Sequence, residues 1–133
     1  MSVESSYVNV VDKKLDVPFI GSLDVMISAP KERPSADARN KTPITVHISN
    51  NGSSNPIGCY IYSIPGRSGE IYSTILNNST ESLLDLTKKV STLISKRYSS
   101  PSYVNINGSF GIEEFTPIIG SLIKEIEDVY ASH

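Results

Sequence analysis

Apolar side chains recur at every second position through much of the first half of the chain and at helical spacing through most of the second. Residues 6–20 alternate loosely and predict one or two short strands, punctuated by Gly21 and Ser22. Residues 23–28 (LDVMIS) put Leu23, Val25 and Ile27 on one face of a half-buried strand. Residues 43–49 (PITVHIS) do the same with Ile44, Val46 and Ile48, leaving His47 on the polar face. Between these strands, residues 29–42 hold two prolines and six charges and nothing large and apolar, which predicts a long polar surface loop.

Residues 57–65 (IGCYIYSIP) break the alternation. One strand face would carry Ile57, Cys59 and Ile61, the other Tyr60, Tyr62 and Ile64. A strand with one wet face alternates apolar and polar, so both faces of this one require cover. The turn-rich residues 50–56 (NNGSSNP) before it suggest an antiparallel hairpin with the strand at 43–49. Residues 65–69 (PGRSG) predict the next turn, and residues 70–76 (EIYSTIL) another strand.

The period then changes. Asn78 with Glu81 three residues on fits a capped helix start. Leu83, Leu86, Val90, Leu93, Ile94 and Tyr98 follow as its apolar stripe, and Pro101 stops it. Residues 103–107 form a short strand with Val104 and Ile106 on one face, closed by Asn107 and Gly108. Thr116 and Pro117 mark the start of a last helix. Ile118, Ile119, Leu122, Ile123, Ile126, Val129 and Tyr130 line its apolar face. Lys124, Glu125, Glu127 and Asp128 hold the other. Strands, helix, strand, helix is an α+β pattern with a mainly antiparallel sheet and two amphipathic helices, and 133 residues suit a single domain.

Composition narrows function mostly by subtraction. Twelve basic against 14 acidic side chains give a net charge of −2, which argues against a nucleic-acid partner. The densest basic cluster, Lys88, Lys89, Lys96 and Arg97, reads as the solvated face of a helix. No apolar run approaches a membrane span, and the first residues lack a secretory signal pattern, so an intracellular chain is expected. The lone Cys59 reads as a small core residue. No Cys or His pair has metal-ligand spacing, and no nucleophile elbow is present. Glu113 and Glu114 favour a helix start over acid–base pairing. The loop from Gly66 to Gly69 lacks phosphate-loop spacing and runs from strand to strand, which favours an ordinary hairpin turn over an anion site. No catalytic residue, cofactor or metal site is expected. Seven tyrosines point elsewhere: Tyr60, Tyr62 and Tyr72 lie on neighbouring predicted strands, and tyrosine suits protein interfaces. The competing reading buries these rings under the chain's own helices.

Several segments together, CYIYSIP at 59–65, LISKRYSSP at 93–101, SYVNI at 102–106 and the closing amphipathic helix, resemble the fungal members of the proteasome assembly chaperone four family. LDVMISAP at 23–30 and NKTPITV at 40–46 fit as well, so the resemblance covers residues 23–130. It implies a non-enzymatic chaperone working without ATP, in an obligate heterodimer with a proteasome assembly chaperone three-like subunit. It further implies binding to a proteasome alpha subunit, the fifth of the ring, to promote 20S alpha-ring assembly in the cytoplasm and nucleus. Tyr60 and Tyr62, with Tyr72 beside them, are the candidate partner-binding residues, inferred from strand alternation alone. The alternative is a small trafficking adaptor of the longin or roadblock type, which the long run of strands before the first helix disfavours.

Overall fold

The computed structural model describes residues 8–17, 20–30, 42–50, 58–78, 81–108 and 110–131. Six strands and two helices follow one another: β1 (Val8–Val17), β2 (Gly21–Pro30), β3 (Ile44–Asn50), β4 (Cys59–Pro65), β5 (Ile71–Asn77), α1 (Glu81–Tyr98), β6 (Ser102–Asn107) and α2 (Phe115–Ala131). A short 3-10 turn (Ile112–Glu114) leads into α2. The α+β class with two helices stands as expected.

The strands form one sheet in the order β1-β2-β3-β6-β4-β5. Every neighbouring pair is antiparallel except β3 with β6, which run parallel. This corrects one expectation. β3 and β4 do not pair as a hairpin, because β6 lies between them, bonded to both. The parallel contact needs a long crossover, which the β4–β5 hairpin and α1 supply. Residues 51–57 and 31–41, which carry most of the predicted turn and polar loop, lie outside the described residues. Ala29 belongs to β2 and not to a loop: it is fully buried and sits opposite Asn9.

Residues directly opposite in a ladder share a face, so the register traces one buried surface across the sheet. Ile27, Val46, Val104 and Ile61 stand in one row; Val25, Ile48, Ile106 and Cys59 stand in the next. All eight are buried, and both helices pack on this side. α1 contributes Leu83, Leu86, Val90, Ile94 and Tyr98; α2 contributes Phe115, Ile118, Leu122 and Ile126. Leu93, expected in the α1 stripe, faces solvent at 36% exposure. Thr87, Ser91 and Ser95 occupy the buried face with the true stripe, and each is fully buried.

Those helical serines meet Ser63 of β4 and Ser102 of β6 in a dry polar seam. Ser102 Oγ lies 3.0 Å from the Ser91 carbonyl and 2.8 Å from Ser95 Oγ. Ser91 Oγ donates to Ser63 Oγ, which lies 2.7 Å from Ser73 Oγ. Small side chains let α1 approach the backbone closely, and the hydroxyls satisfy one another.

Helix ends follow local chemistry. Ser99, in the left-handed region at φ 49°, ends α1 before Pro101. Residues 79–80, which a cap at Asn78 would place in the first turn, lie outside the described residues. Thr116 is not the N-cap of α2, since the helix already contains it. The chain turns earlier, at Gly111, whose N–H donates to Glu114 Oε1 at 2.6 Å. Lys13 Nζ reaches Glu125 at 2.9 Å and ties α2 to β1. Tyr98 donates its hydroxyl to Glu127, which also pairs with Arg97 at 3.5 Å, and so the end of α1 is tied to α2.

Candidate protein-binding face

The second face of the sheet carries no helix among the described residues. Its side chains follow from the same register read one residue over. At the β1–β2 end it is ionic: Lys14 pairs with Asp24 at 3.2 Å, and Ser22 donates to Asp16 at 2.6 Å. Toward β6, β4 and β5 it becomes aromatic. The single sheet is thus charged at one end and greasy at the other.

The aromatic end is built on ladder pairs. Tyr62 lies directly opposite Tyr103, and their rings stack with centroids 4.6 Å apart and planes 30° apart. Tyr60 lies opposite Asn105, which in turn pairs with His47 on β3. Tyr60 packs at a tilt against Tyr103 at 6.2 Å and against His47 at 6.1 Å. Such tilted and offset contacts suit the ring quadrupoles and hold the plate rigid. All four rings are half-buried in the monomer. Burial lowers the His47 pKa and so favours neutral imidazole. Burial, then the neighbouring Tyr103, pushes the Tyr60 hydroxyl up.

Gly58 sets the entry to this plate. A Cβ there would stand 2.1 Å from the Ile106 carbonyl oxygen and 2.7 Å from Asn107 Cα, both backbone atoms that cannot yield. Its N–H donates to Asn105 Oδ1 at 3.3 Å and its carbonyl accepts from Asn77 Nδ2 at 2.6 Å. The glycine therefore clamps the start of β4 against β6 and β5.

The sequence-derived residues Tyr60 and Tyr62 fall on the open face, not under the helices. Tyr72 reaches the same side through its pairing with Ile64 but lies at the rim, 60% exposed. Its hydroxyl donates to Glu70 at 3.3 Å, and the Glu70 charge raises its pKa. The structure adds Tyr103 and His47, which the sequence reading left out. The alternation does put Tyr103 opposite to Val104, but nothing local shows that β6 runs beside β4.

The remaining candidates resolve into structure. Cys59 is fully buried on the helix side and its thiol contacts Asn78 Oδ1 at 3.9 Å. The turn from Gly66 to Gly69 closes the β4–β5 hairpin, with Gly69 at φ 87° and Gly66 N donating to the Glu70 carbonyl at 2.7 Å. The Glu70 carboxylate itself accepts from Ser68 N at 3.5 Å, filling the place of an external anion. Lys88, Lys89 and Lys96 line the solvent side of α1, as the helical period requires. Among the described residues no group of three or more His, Cys, Asp or Glu side chains could hold a metal ion. No helix among them is long and apolar enough to cross a membrane.

What the face offers is a rigid, weakly polar aromatic surface, and comparison with known proteins bears on its use. The family described as 20S proteasome chaperone assembly proteins 3 and 4 matches residues 4–125. A solved structure described as a novel chaperone complex for yeast 20S proteasome assembly shares the fold at a TM-score of 0.76 and 20% identity, covering 93% of this chain and 98% of that one. No curated protein matches by sequence.

Proposed function

This chain belongs to the family of 20S proteasome chaperone assembly proteins 3 and 4, and from that membership we propose that it acts as one half of a heterodimer whose other half is a related small subunit. The pair binds a proteasome alpha subunit, the fifth of the ring, and promotes alpha-ring assembly in the cytoplasm and nucleus. The carrying observation is the open aromatic face. Tyr60, Tyr62, Tyr103 and His47 are held rigid by ladder pairing yet left half-covered. Interface cores are enriched in such aromatics, which lose little side-chain entropy on docking. The charged end at Lys14 and Asp24 stays outside the contact or forms its polar rim.

The mechanism is scaffolding. Binding favours one arrangement of neighbouring subunits, and release follows when later subunits compete for the same surface. No step in this scheme requires a nucleotide, metal or covalent bond. The family assignment also favours this reading over a longin or roadblock-like adaptor.

The test is Tyr60→Ser with Tyr62→Ser, co-expressed with the related subunit. Central interface tyrosines each contribute about 2 kcal/mol or more, so the double change should weaken the heterodimer about 1,000-fold. Wild-type affinity in a correctly folded double variant would overturn the assignment. Loss of heterodimer with retained binding to the fifth alpha subunit would instead refute the claim that the pair, and not the single chain, binds that subunit.

A further inference from the structure

We propose that β5 is a self-pairing edge: two copies of the chain join antiparallel along β5, with Thr74 on the two-fold axis, and the six-stranded sheet continues across the contact. The two edges of the sheet are treated differently by the sequence. β1 carries Asp12, Lys13, Lys14 and Asp16, the charges that natural edges use against pairing. β5 reads IYSTILN and has no charge and no proline. It is exposed along nearly its whole length, with Tyr72 at 60% and Ile75 and Leu76 each at 49%.

The ladder fixes which backbone groups point outward. Gly66 and Glu70 form a hydrogen-bonded pair, so bonded and non-bonded pairs alternate from there along the hairpin. Tyr72 and Thr74 bond inward to β4. Ile71, Ser73 and Ile75 therefore direct their N–H and C=O groups away from the sheet.

A second β5 is the occupant these residues favour. With Thr74 opposite its own copy, Ser73 meets Ile75 through outward groups on both strands, and Tyr72 meets Leu76. The aromatic–aliphatic pair then forms twice, once on each side of the axis, and no like charges oppose. A seven-residue strand contact is smaller than the roughly 1,200 Å² of a lasting interface, so the dimer forms and dissociates with concentration. The contact takes only the rim residue Tyr72 from the open face and leaves Tyr60, Tyr62, Tyr103 and His47 free, so it is independent of the heterodimer reading that rests on those four.

Thr74→Cys tests the geometry, because residues at a non-hydrogen-bonded antiparallel site approach closely enough for a disulfide. The native Cys59 is buried and does not compete. Oxidation of the purified full-length variant should give a covalent dimer, and light scattering should show wild-type dimer growing at high micromolar concentration. Ile75→Lys or Ile75→Pro in the same background should abolish both, while Tyr60→Ser with Tyr62→Ser should leave both intact. Ile75 is half-exposed and its N–H points outward, so neither change disturbs the internal ladder. A wild-type chain monomeric throughout, a Thr74→Cys dimer indifferent to Ile75→Lys, or a dimer lost only in the tyrosine variant would each overturn the proposal.

Discussion

Ser102→Ala removes one oxygen atom from the seam beneath α1, and its effect can be worked from proton counting. Each serine hydroxyl has one proton to donate. One assignment gives every hydroxyl an acceptor: Ser102 to the Ser91 carbonyl, Ser95 to Ser102, Ser91 to Ser63 and Ser63 to Ser73, which leaves Ser91 Oγ and Ser102 Oγ, 3.1 Å apart, in contact without a shared proton. Alanine at 102 deletes two of these bonds in a site with no solvent. Ser95 retains a poorer acceptor, the Ser63 carbonyl at 3.4 Å, which softens the loss. At about 1 kcal/mol per bond, less that partial rescue, the cost is about 1–2 kcal/mol. Ser95→Ala in addition removes the stranded donor, so the double variant should cost less than the sum of the singles by about 0.5–1 kcal/mol. Urea unfolding followed by circular dichroism measures this, with midpoints compared at constant slope. Strict additivity, or a Ser102→Ala variant within about 0.3 kcal/mol of wild type, would refute the connected-seam account.

Two further outcomes follow from the open face. Burial depresses the His47 pKa, so the unfolded chain binds this proton more readily than the folded one. Stability from this group is then full above its ordinary value of about 6.5 and is lost as pH falls through the lower folded value. His47→Gln should flatten the acid limb of a urea-midpoint profile between pH 7.5 and 5; an unchanged limb would refute the assignment. Gly58→Ala sets a Cβ against backbone atoms of β6 and strains two hydrogen bonds. It should destabilise the fold by about 3–5 kcal/mol and abolish partner binding, and a loss under about 1 kcal/mol would contradict the close approach.

The elements were largely legible in the sequence, since hydrophobic period is a local signal. The alternation at Leu23, Val25 and Ile27 and the stripe at Ile118, Leu122 and Ile126 predict the buried faces that the structure shows. What the sequence hid was non-local. β3 and β4 are joined by turn-rich residues and look like a hairpin, yet β6 separates them, because pairing partners are chosen by the whole sheet. Leu93 looks like core by spacing but lies off the axis of a stripe that Ser91 and Ser95 complete. Polar hydroxyls at helical spacing read as surface until their partners on β4 and β6 are known. The candidate face was half visible for the same reason: Tyr60 and Tyr62 announce themselves by alternation, whereas Tyr103 and His47 join them only through strand order.

The place of β6 also dictates an order of events at the ribosome. It is the last strand synthesised, yet it sits inside the sheet, between strands completed more than thirty residues earlier. Until it emerges, the β1–β2–β3 unit and the β4–β5 hairpin are separate pieces, and β3 and β4 each present a raw edge. The closing step brings distant segments together, which is slow for a chain of this size. Nascent chains halted after α1 should therefore be protease-sensitive and aggregation-prone, and those extended past Asn107 protected. A protein that assembles others is, during its own synthesis, two half-sheets waiting for one strand.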